Sequence, residues 1–410
     1  MTMTELDKEN KGPLAGVRVL DLTAVVMGPY ATQILGDMGA DIIKVEPPQG
    51  DTMRWVGPMK NPGMGHIFLH ANRNKRSLVL DLKQPQGCEA LLKLAARSDV
   101  LVYNVRPAAM ARLGLSYDAL KAVNPKIIYV GAFGFSERGL YAGRPAYDDL
   151  IQGAAGVAAL TLEQGSEVPH YSPVLLGDRS VGLQTVIAVM GALYHAARTG
   201  EGQAVEVTMF ESLSQFVLGD HMAGETFIPA IGKTGYSRIT APHRRPYATR
   251  DGYLCVLIYN DKHWQNFFKL IAREDLLNDP RFCDHSSRAN HIREVYEFVA
   301  GVMATRSTAD WSAALQQADI PTMPMHSIDS LINDPHLNAI GYFPEYAHPS
   351  EGTIRTTAPV GEWSKTPPSI RAMAARLGEH SREILCETGY DEASIDAMLA
   401  QGVTAEPSAA

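Results

Sequence analysis

Short apolar runs, separated by helix-length segments and recurring about thirty residues apart, constrain this chain more than any other feature. Residues 17–22 (VRVLDL) suit a buried strand. Gly28-Pro29 then sets a proline at a first helical position ahead of YATQILGDMGA, and Gly39 ends that helix. DIIKVE, stopped by Pro47 and Pro48, completes a strand–helix–strand unit typical of a parallel sheet. The alternation continues through SLVLDL, a helix over 84–97, DVLVYNV, a helix over 108–123 and KIIYVGAF. The pattern predicts a doubly wound α/β start.

Small residues accumulate over 143–177, ahead of an apolar helix over 179–198, the turn TGEG, the strand QAVEVTMF and a helix over 211–219. Residues 225–246 lose periodicity and read as a linker. YLCVLIYN, HWQNFFKLI and a helix over 291–304 form a compact middle module, which the chain leaves through PTMPMHSIDSLINDPHL. The last hundred residues hold GTIRTTAPV, a polar helix around Arg382 and the tail GVTAEPSAA. With 410 residues, 45% of them apolar, two or three domains can bury a core. The expected division is a large domain over 13–215, a small one over 225–320, a return to the large domain over 330–400, and flexible tails at 1–12 and 401–410.

Composition removes several function classes. The 37 basic and 45 acidic residues give a net charge of −8, which offers no general surface to a nucleic-acid backbone. Any polyanionic ligand must find a local pocket. Cys88, Cys255, Cys283 and Cys386 form no C-x-x-C pair, so neither a disulfide scaffold nor a structural zinc site is expected. The histidines show no H-E-x-x-H spacing, and neither a G-x-S-x-G elbow nor a P-loop occurs. The polar, acidic opening does not read as a secretory signal, and the longest apolar stretch is broken by Gln184, Gly191 and His195. A cytoplasmic protein without membrane or metal partners is expected.

The turn after the first strand, LDLTAVVMGPYATQ, lies where open α/β sheets bind phosphorylated ligands, yet it lacks G-x-G-x-x-G. Glu46 is no better as a ribose ligand, so a Rossmann dehydrogenase is a weak reading. Arg73, Lys75 and Arg76 in NRNKRS, and Asn104 and Arg106 in NVRP, form two cationic stretches at strand ends that suit phosphates or simply face solvent. Asp178 in LLGDRSVG precedes an apolar helix. By local rules it is an N-cap; the functional alternative is a nucleophilic carboxylate at the mouth of a cleft.

Taken together and in order, GVRVLDLTAVVMGPYATQILGDMGADIIKVEPP, NRNKRSLVLDLK, NVRP, ARLGLSYDAL, NPKIIYVGAFGF, GRPAYDDLIQ, LLGDRSVG, RTGEGQAVEVTMFES, DPHL and RLGEHSREIL resemble the class III coenzyme A-transferases, the formyl-CoA and carnitine-CoA transferase family. The resemblance spans about residues 13–398. It implies a Rossmann-like large domain built from both ends of the chain, a smaller α+β middle domain, and two subunits interlocked as a homodimer, to which linkers near 215–246 and 305–335 are suited. It implies that Asp178 is the nucleophile, passing through an acyl-aspartyl anhydride and an aspartyl-CoA thioester, with turn glycines admitting backbone N–H donors to the tetrahedral intermediates. It implies CoA contacts at Val26, Met27, Lys83, Asn104, Val105, Arg106, Arg112 and the stretch from Arg144 to Tyr147. Acyl-CoA and a carboxylic acid are then substrates, with no permanently bound cofactor.

The chain departs from the formyl-CoA transferases at Val26, where they carry Gln, at Pro47, where they carry Arg, and in lacking their glycine-run loop. These departures disfavour formyl-CoA and oxalate and suit a larger or less charged acyl group. Two rivals share the scaffold. An α-methylacyl-CoA racemase would use a histidine from a G-H-D segment, where this chain has GRPAYDD. A non-catalytic acyl-CoA-binding protein would have no chemical need for Asp178.

Overall fold

The computed structural model describes residues 11–407, so the outer parts of both expected tails, 1–10 and 408–410, lie outside the described residues. The described chain divides into two units. The larger comprises residues 11–154, 173–214 and 337–407, and the smaller 155–172 and 215–336. Residues 155–172 thus group with the middle unit, not with the first segment as the sequence reading had it.

The larger unit is built on six parallel strands: β1 (Arg18–Leu22), β2 (Asp41–Glu46), β3 (Lys75–Val79), β4 (Val100–Tyr103), β5 (Ile128–Phe133) and β6 (Ala204–Thr208). Their spatial order is β3-β2-β1-β4-β5-β6, the doubly wound order, with its topological switch point between β1 and β4. Strands buried on both faces read as near-continuous apolar runs, and β4 and β5 are buried throughout. Helix α1 (Met27–Asp37) connects β1 to β2, and α2 (Pro85–Ala95) connects β3 to β4. The helix expected over 108–123 is two, α3 (Pro107–Arg112) and α4 (Tyr117–Val123), because Gly114 at φ 72° leaves the helical region. After β5 come α5 (Asp148–Ala154) and the long α6 (Leu176–Thr199).

Helix α6 is apolar and long enough by composition to cross a membrane. Here Val181, Thr185 and Val189 are buried in the larger unit. At Gly182 the helix approaches α1 so closely that a β-carbon would stand 2.9 Å from the Met27 carbonyl oxygen and 2.9 Å from the Tyr30 ring.

The core beneath α2 joins Leu20, Ile43, Leu78 and Leu101 of the sheet to Ile384, Ile395, Met398 and Val403 from the chain's far end. The C-terminal segment therefore completes the larger unit. Residues 401–407, expected to belong to a flexible tail, are fixed where they meet β3. Asp81 N–H donates to the Val403 carbonyl at 2.8 Å, Thr404 Oγ1 donates to the Val79 carbonyl at 2.7 Å, and Val403 is fully buried.

NRNKRS is not a solvated loop before a strand. Lys75 and Arg76 lie inside β3, and Arg73, Lys75 and Arg76 are all buried. Arg73 pairs with Asp37 at 2.7 Å and Arg76 with Asp41 at 2.7 Å. Lys75 Nζ donates to Asp21 Oδ2 and to the Pro29 carbonyl, Thr32 Oγ1 and Asn72 Oδ1, all within 2.9 Å. Burial opposes ionisation of Asp21, but Lys75, Lys44 and the hydroxyls of Thr23 and Thr32 hold its carboxyl far below the usual range. Burial also pulls Lys75 down, to about 8, and its four acceptors leave it charged at neutral pH. These cations are consumed inside the fold and are not free for phosphates.

The smaller unit has a three-stranded antiparallel sheet, β7 (Tyr247–Ala248), β8 (Tyr253–Val256) and β9 (Thr322–Pro324), in the order β7-β8-β9. Helices α7 (Asp261–Leu270), α8 (His285–Asn290), α9 (Ile292–Met303) and α10 (Thr308–Gln317) belong to it. Its core is aromatic, with Trp264, Phe267, Phe268, Phe282 and Trp311 packed together.

Removing one partner of a buried ion pair leaves an uncompensated charge, at a cost of about 3–5 kcal/mol. Lys75→Met is expected to destabilise the protein by about that amount in urea unfolding at pH 7, and to recover part of the loss as pH falls and the orphaned Asp21 takes up a proton.

Candidate active site

The site grows from the turn after β1. Asp21 Oδ1 accepts the Thr23 N–H at 2.9 Å, Asp51 Oδ1 accepts the Val25 N–H at 3.2 Å, and Asn104 Oδ1 accepts the Ala24 N–H at 3.0 Å. Asn104 Nδ2 returns a bond to the Ala24 carbonyl at 2.7 Å, so the loops after β1 and β4 are clamped together across the switch point. Lys44 Nζ closes the set from below, donating to the Thr23 carbonyl at 2.9 Å and Asp51 at 3.0 Å. The clamp holds Val25 at φ 72°, a left-handed conformation that a β-branched residue adopts only under constraint. Gly28 is required here, since a β-carbon would lie 2.3 Å from Thr23 Cβ.

Above this turn opens a cleft of about 380 Å³. It is lined by Val25 and Met27 from the first turn, by Asn104, Val105 and Arg106 after β4, by residues 133–135 after β5, by residues 143–148, and by Asp178 and Met209. A β-carbon on Gly134 would lie 2.2 Å from Ala146 Cβ, so the loop over 143–147 rests directly on the end of β5. Phe135, Tyr141 and Phe210 pack ring against ring at 5.4–6.0 Å and support that loop.

Asp178 does not cap its helix. Helix α6 begins at Leu176, its N-cap is Leu175 without a side-chain bond, and Asp178 stands in the first turn. The capping oxygen comes from Asp148 at the start of α5, whose Oδ1 accepts the Asp178 N–H at 2.9 Å while Oδ2 accepts Gln152 Nε2 at 2.6 Å. Gly177 leaves room for this approach, because a β-carbon there would crowd Asp148 Oδ1 at 3.1 Å. The Asp178 carboxylate accepts no hydrogen bond from the described residues. Burial first, and the neighbouring Asp148 second, push it up to about 6, with Arg179 opposing.

The sequence-predicted residues separate into two groups. Met27, Asn104, Val105, Arg106, Arg144, Tyr147 and Asp178 line the one cleft. Val26, Lys83 and Arg112 do not. Val26 is buried beneath the turn, because the left-handed step at Val25 turns that neighbour outward instead. Lys83 and Arg112 are exposed elsewhere. Among the described residues, neither Arg106 nor Arg144 pairs with a carboxylate, and Arg144 lies 4.5 Å over the Tyr141 ring. Sequence reasoning missed Asp148. Its signal was present in AYDD, an acidic pair opening a helix beside the predicted Arg144–Tyr147 contacts.

Residues 14–381 match the family described as CoA-transferase family III. The chain is 32% identical over 401 residues to a succinate–glutarate CoA-transferase of Agrobacterium fabrum, covering 94% of this chain and 98% of that protein. It is 31% identical over 411 residues to a formyl-CoA:oxalate CoA-transferase of Escherichia coli O157:H7, covering 94% and 98%. Among solved structures, a CAIB/BAIF family protein from Brucella suis superposes with a TM-score of 0.77 at 30% identity, covering 92% of this chain and 99% of that one. Similarity of this extent runs through both units and the cleft at the switch point, and the chain belongs to CoA-transferase family III.

Proposed function

We propose that the protein moves CoA from an acyl-CoA thioester to a free carboxylic acid, with Asp178 as the covalent nucleophile. The observation that carries this is the placement of Asp178 in the switch-point cleft with its carboxylate unengaged while Asp148 does the capping. Capping therefore does not account for an aspartate at this position. Among the described residues no histidine lines the cleft, which counts against racemase chemistry.

In the proposed sequence an Asp178 oxygen attacks the thioester carbonyl, the C–S bond breaks, and an acyl-aspartyl anhydride and CoA thiolate result. The thiolate then attacks the Asp178 carbonyl carbon, releasing the donor acid and leaving an aspartyl-CoA thioester. The acceptor carboxylate attacks that thioester and expels the thiolate, which takes the acceptor's acyl group and restores Asp178. A carboxylate raised toward 6 is more basic, and so more nucleophilic, than an exposed one, yet remains ionised at neutral pH. The α6 N-terminus supports the negative charge that develops at each step.

Arg106 and Arg144, free of carboxylate partners, suit the phosphates of CoA. Asn104, Val105 and Tyr147 suit its pantetheine arm; Lys83 and Arg112 have no comparable support. Val25 and Met27 make the floor apolar, which favours an acyl group with a carbon body over formyl or oxalyl. The relatives' names include both succinate–glutarate and formyl–oxalate transfer, so the preference rests on these two side chains. A homodimer is supported by Leu183, Ile187 and Tyr194, exposed by 47%, 62% and 65% along one side of α6. The four free thiols suit a reducing, cytoplasmic setting.

Mixing the protein with acyl-CoAs and quenching with hydroxylamine is expected to leave a hydroxamate on the Asp178 peptide, visible by mass spectrometry and absent without thioester. Asp178→Asn is expected to abolish transfer. Because the charged carboxylate is half-buried, the same variant should melt higher than the parent at pH 8, with the difference shrinking as pH falls through 6.

In the parent, kcat/KM should rise with pH through about 6 as Asp178 ionises. Asp148→Asn keeps a capping oxygen but removes the neighbouring charge, so the acid limb of its profile should move to lower pH. Transfer rates over a series from formyl through butanoyl should increase with carbon body, and sedimentation should give twice the chain mass.

A further inference from the structure

The smaller unit holds a second cavity, of about 120 Å³, made entirely from its own residues. Its floor is apolar: Trp264 of α7 and Val295 of α9 are buried, with Ile258 and Ile292 beside them. Two guanidinium groups face it. Arg288 is buried and already engaged, donating to the Phe282 carbonyl at 2.7 Å and pairing with Asp261. Arg238 is different. It lies 5.4 Å over the Tyr259 ring, with Tyr236 and Tyr296 lining the same cavity, and among the described residues no carboxylate pairs with it.

A half-buried guanidinium surrounded by tyrosines, with an apolar chamber beside it, is chemically incomplete. Its strongest complement is a planar carboxylate, which its fork of N–H groups meets with two parallel bonds. An apolar cavity of about 150 Å³ takes benzene, so this one holds a body of roughly four or five carbons on Trp264 while the carboxylate stays at Arg238. A phosphate is a poorer match. It carries more charge and hydration than one arginine can replace, and Arg288 is occupied.

We propose that the cavity between Arg238 and Trp264 is a binding site for a small aliphatic carboxylic acid, separate from the cleft that contains Asp178. The site does not depend on the transferase mechanism, since none of its residues lines that cleft.

Calorimetric titration of the full chain with sodium pentanoate tests it. One pentanoate-binding event is expected to weaken at least tenfold in Arg238→Gln and to be only partly restored in Arg238→Lys, which keeps the charge but not the two parallel bonds. Ala289→Leu, which fills the cavity from an exposed position on α8, is expected to weaken the same event without touching the charge. Pentan-1-ol, with the same body and no charge, is expected to bind at least tenfold more weakly. An isotherm unchanged in both Arg238→Gln and Ala289→Leu overturns the proposal, as does equal binding of pentan-1-ol or tighter binding of inorganic phosphate. Should Arg238→Gln fail to fold, Ala289→Leu decides alone. A pentanoate event that survives both variants and vanishes on adding CoA belongs to the Asp178 cleft and likewise counts against the second site.

Discussion

Everything at the carboxyl ends of the central strands hangs on a charge buried where water does not reach. Asp21 has no exposed surface, and its carboxylate is kept ionised by Lys75 at 2.9 Å and by hydroxyls from Thr23 and Thr32. Because the same oxygens also hold the Thr23 N–H, the ion pair fixes the backbone of the first turn as well as the sheet. Asp51 and Lys44 extend it, and Glu46 with Arg54 extends it further, in two bonds of 2.7 Å. Such pairs add little net stability compared with apolar packing of the same volume. Their contribution here is geometric: they hold a valine in a left-handed conformation at the floor of the cleft.

The two aspartates above that floor divide labour that local rules would give to one. A helix start wants an acceptor for its first N–H groups. Had Asp178 supplied it, its carboxylate would be tied down and its acidity strengthened. Asp148 supplies it from a different helix, and its own negative charge raises Asp178 instead of lowering it. One acidic residue opening α5 thereby holds the backbone of the group at the cleft and adds to the rise in its pKa that burial causes.

Much of the fold was legible because parallel strands buried on both faces are mostly apolar, and β1, β2, β4 and β5 stand within a residue or two of the runs that marked them. The switch point followed from that alternation. Pairing of charges was not legible. Arg73, Lys75 and Arg76 read as a solvated cluster because their partners Asp37, Asp21 and Asp41 lie 36, 54 and 35 residues away and only the sheet brings them together. Val26 was misplaced by one position for a related reason: a left-handed valine carries no compositional mark. Asp178 stood out locally, its expected role as nucleophile came from the family resemblance, and its freedom from capping depended on Asp148, a contact thirty residues long.

The edge of the sheet carries one more consequence. Strand β3 has a single strand neighbour, and its open side is closed by residues from the other end of the chain: His380 N–H donates to the Ser77 carbonyl at 3.0 Å, Val79 N–H to Ser381 Oγ at 3.1 Å, and Thr404 to Val79. During synthesis the first five strands emerge long before residue 404, so this edge waits unprotected while the whole smaller unit is made. The interval between those two events is when the nascent protein is most open to wrong strand pairing, and the speed at which ribosomes cross the middle of the message sets its length.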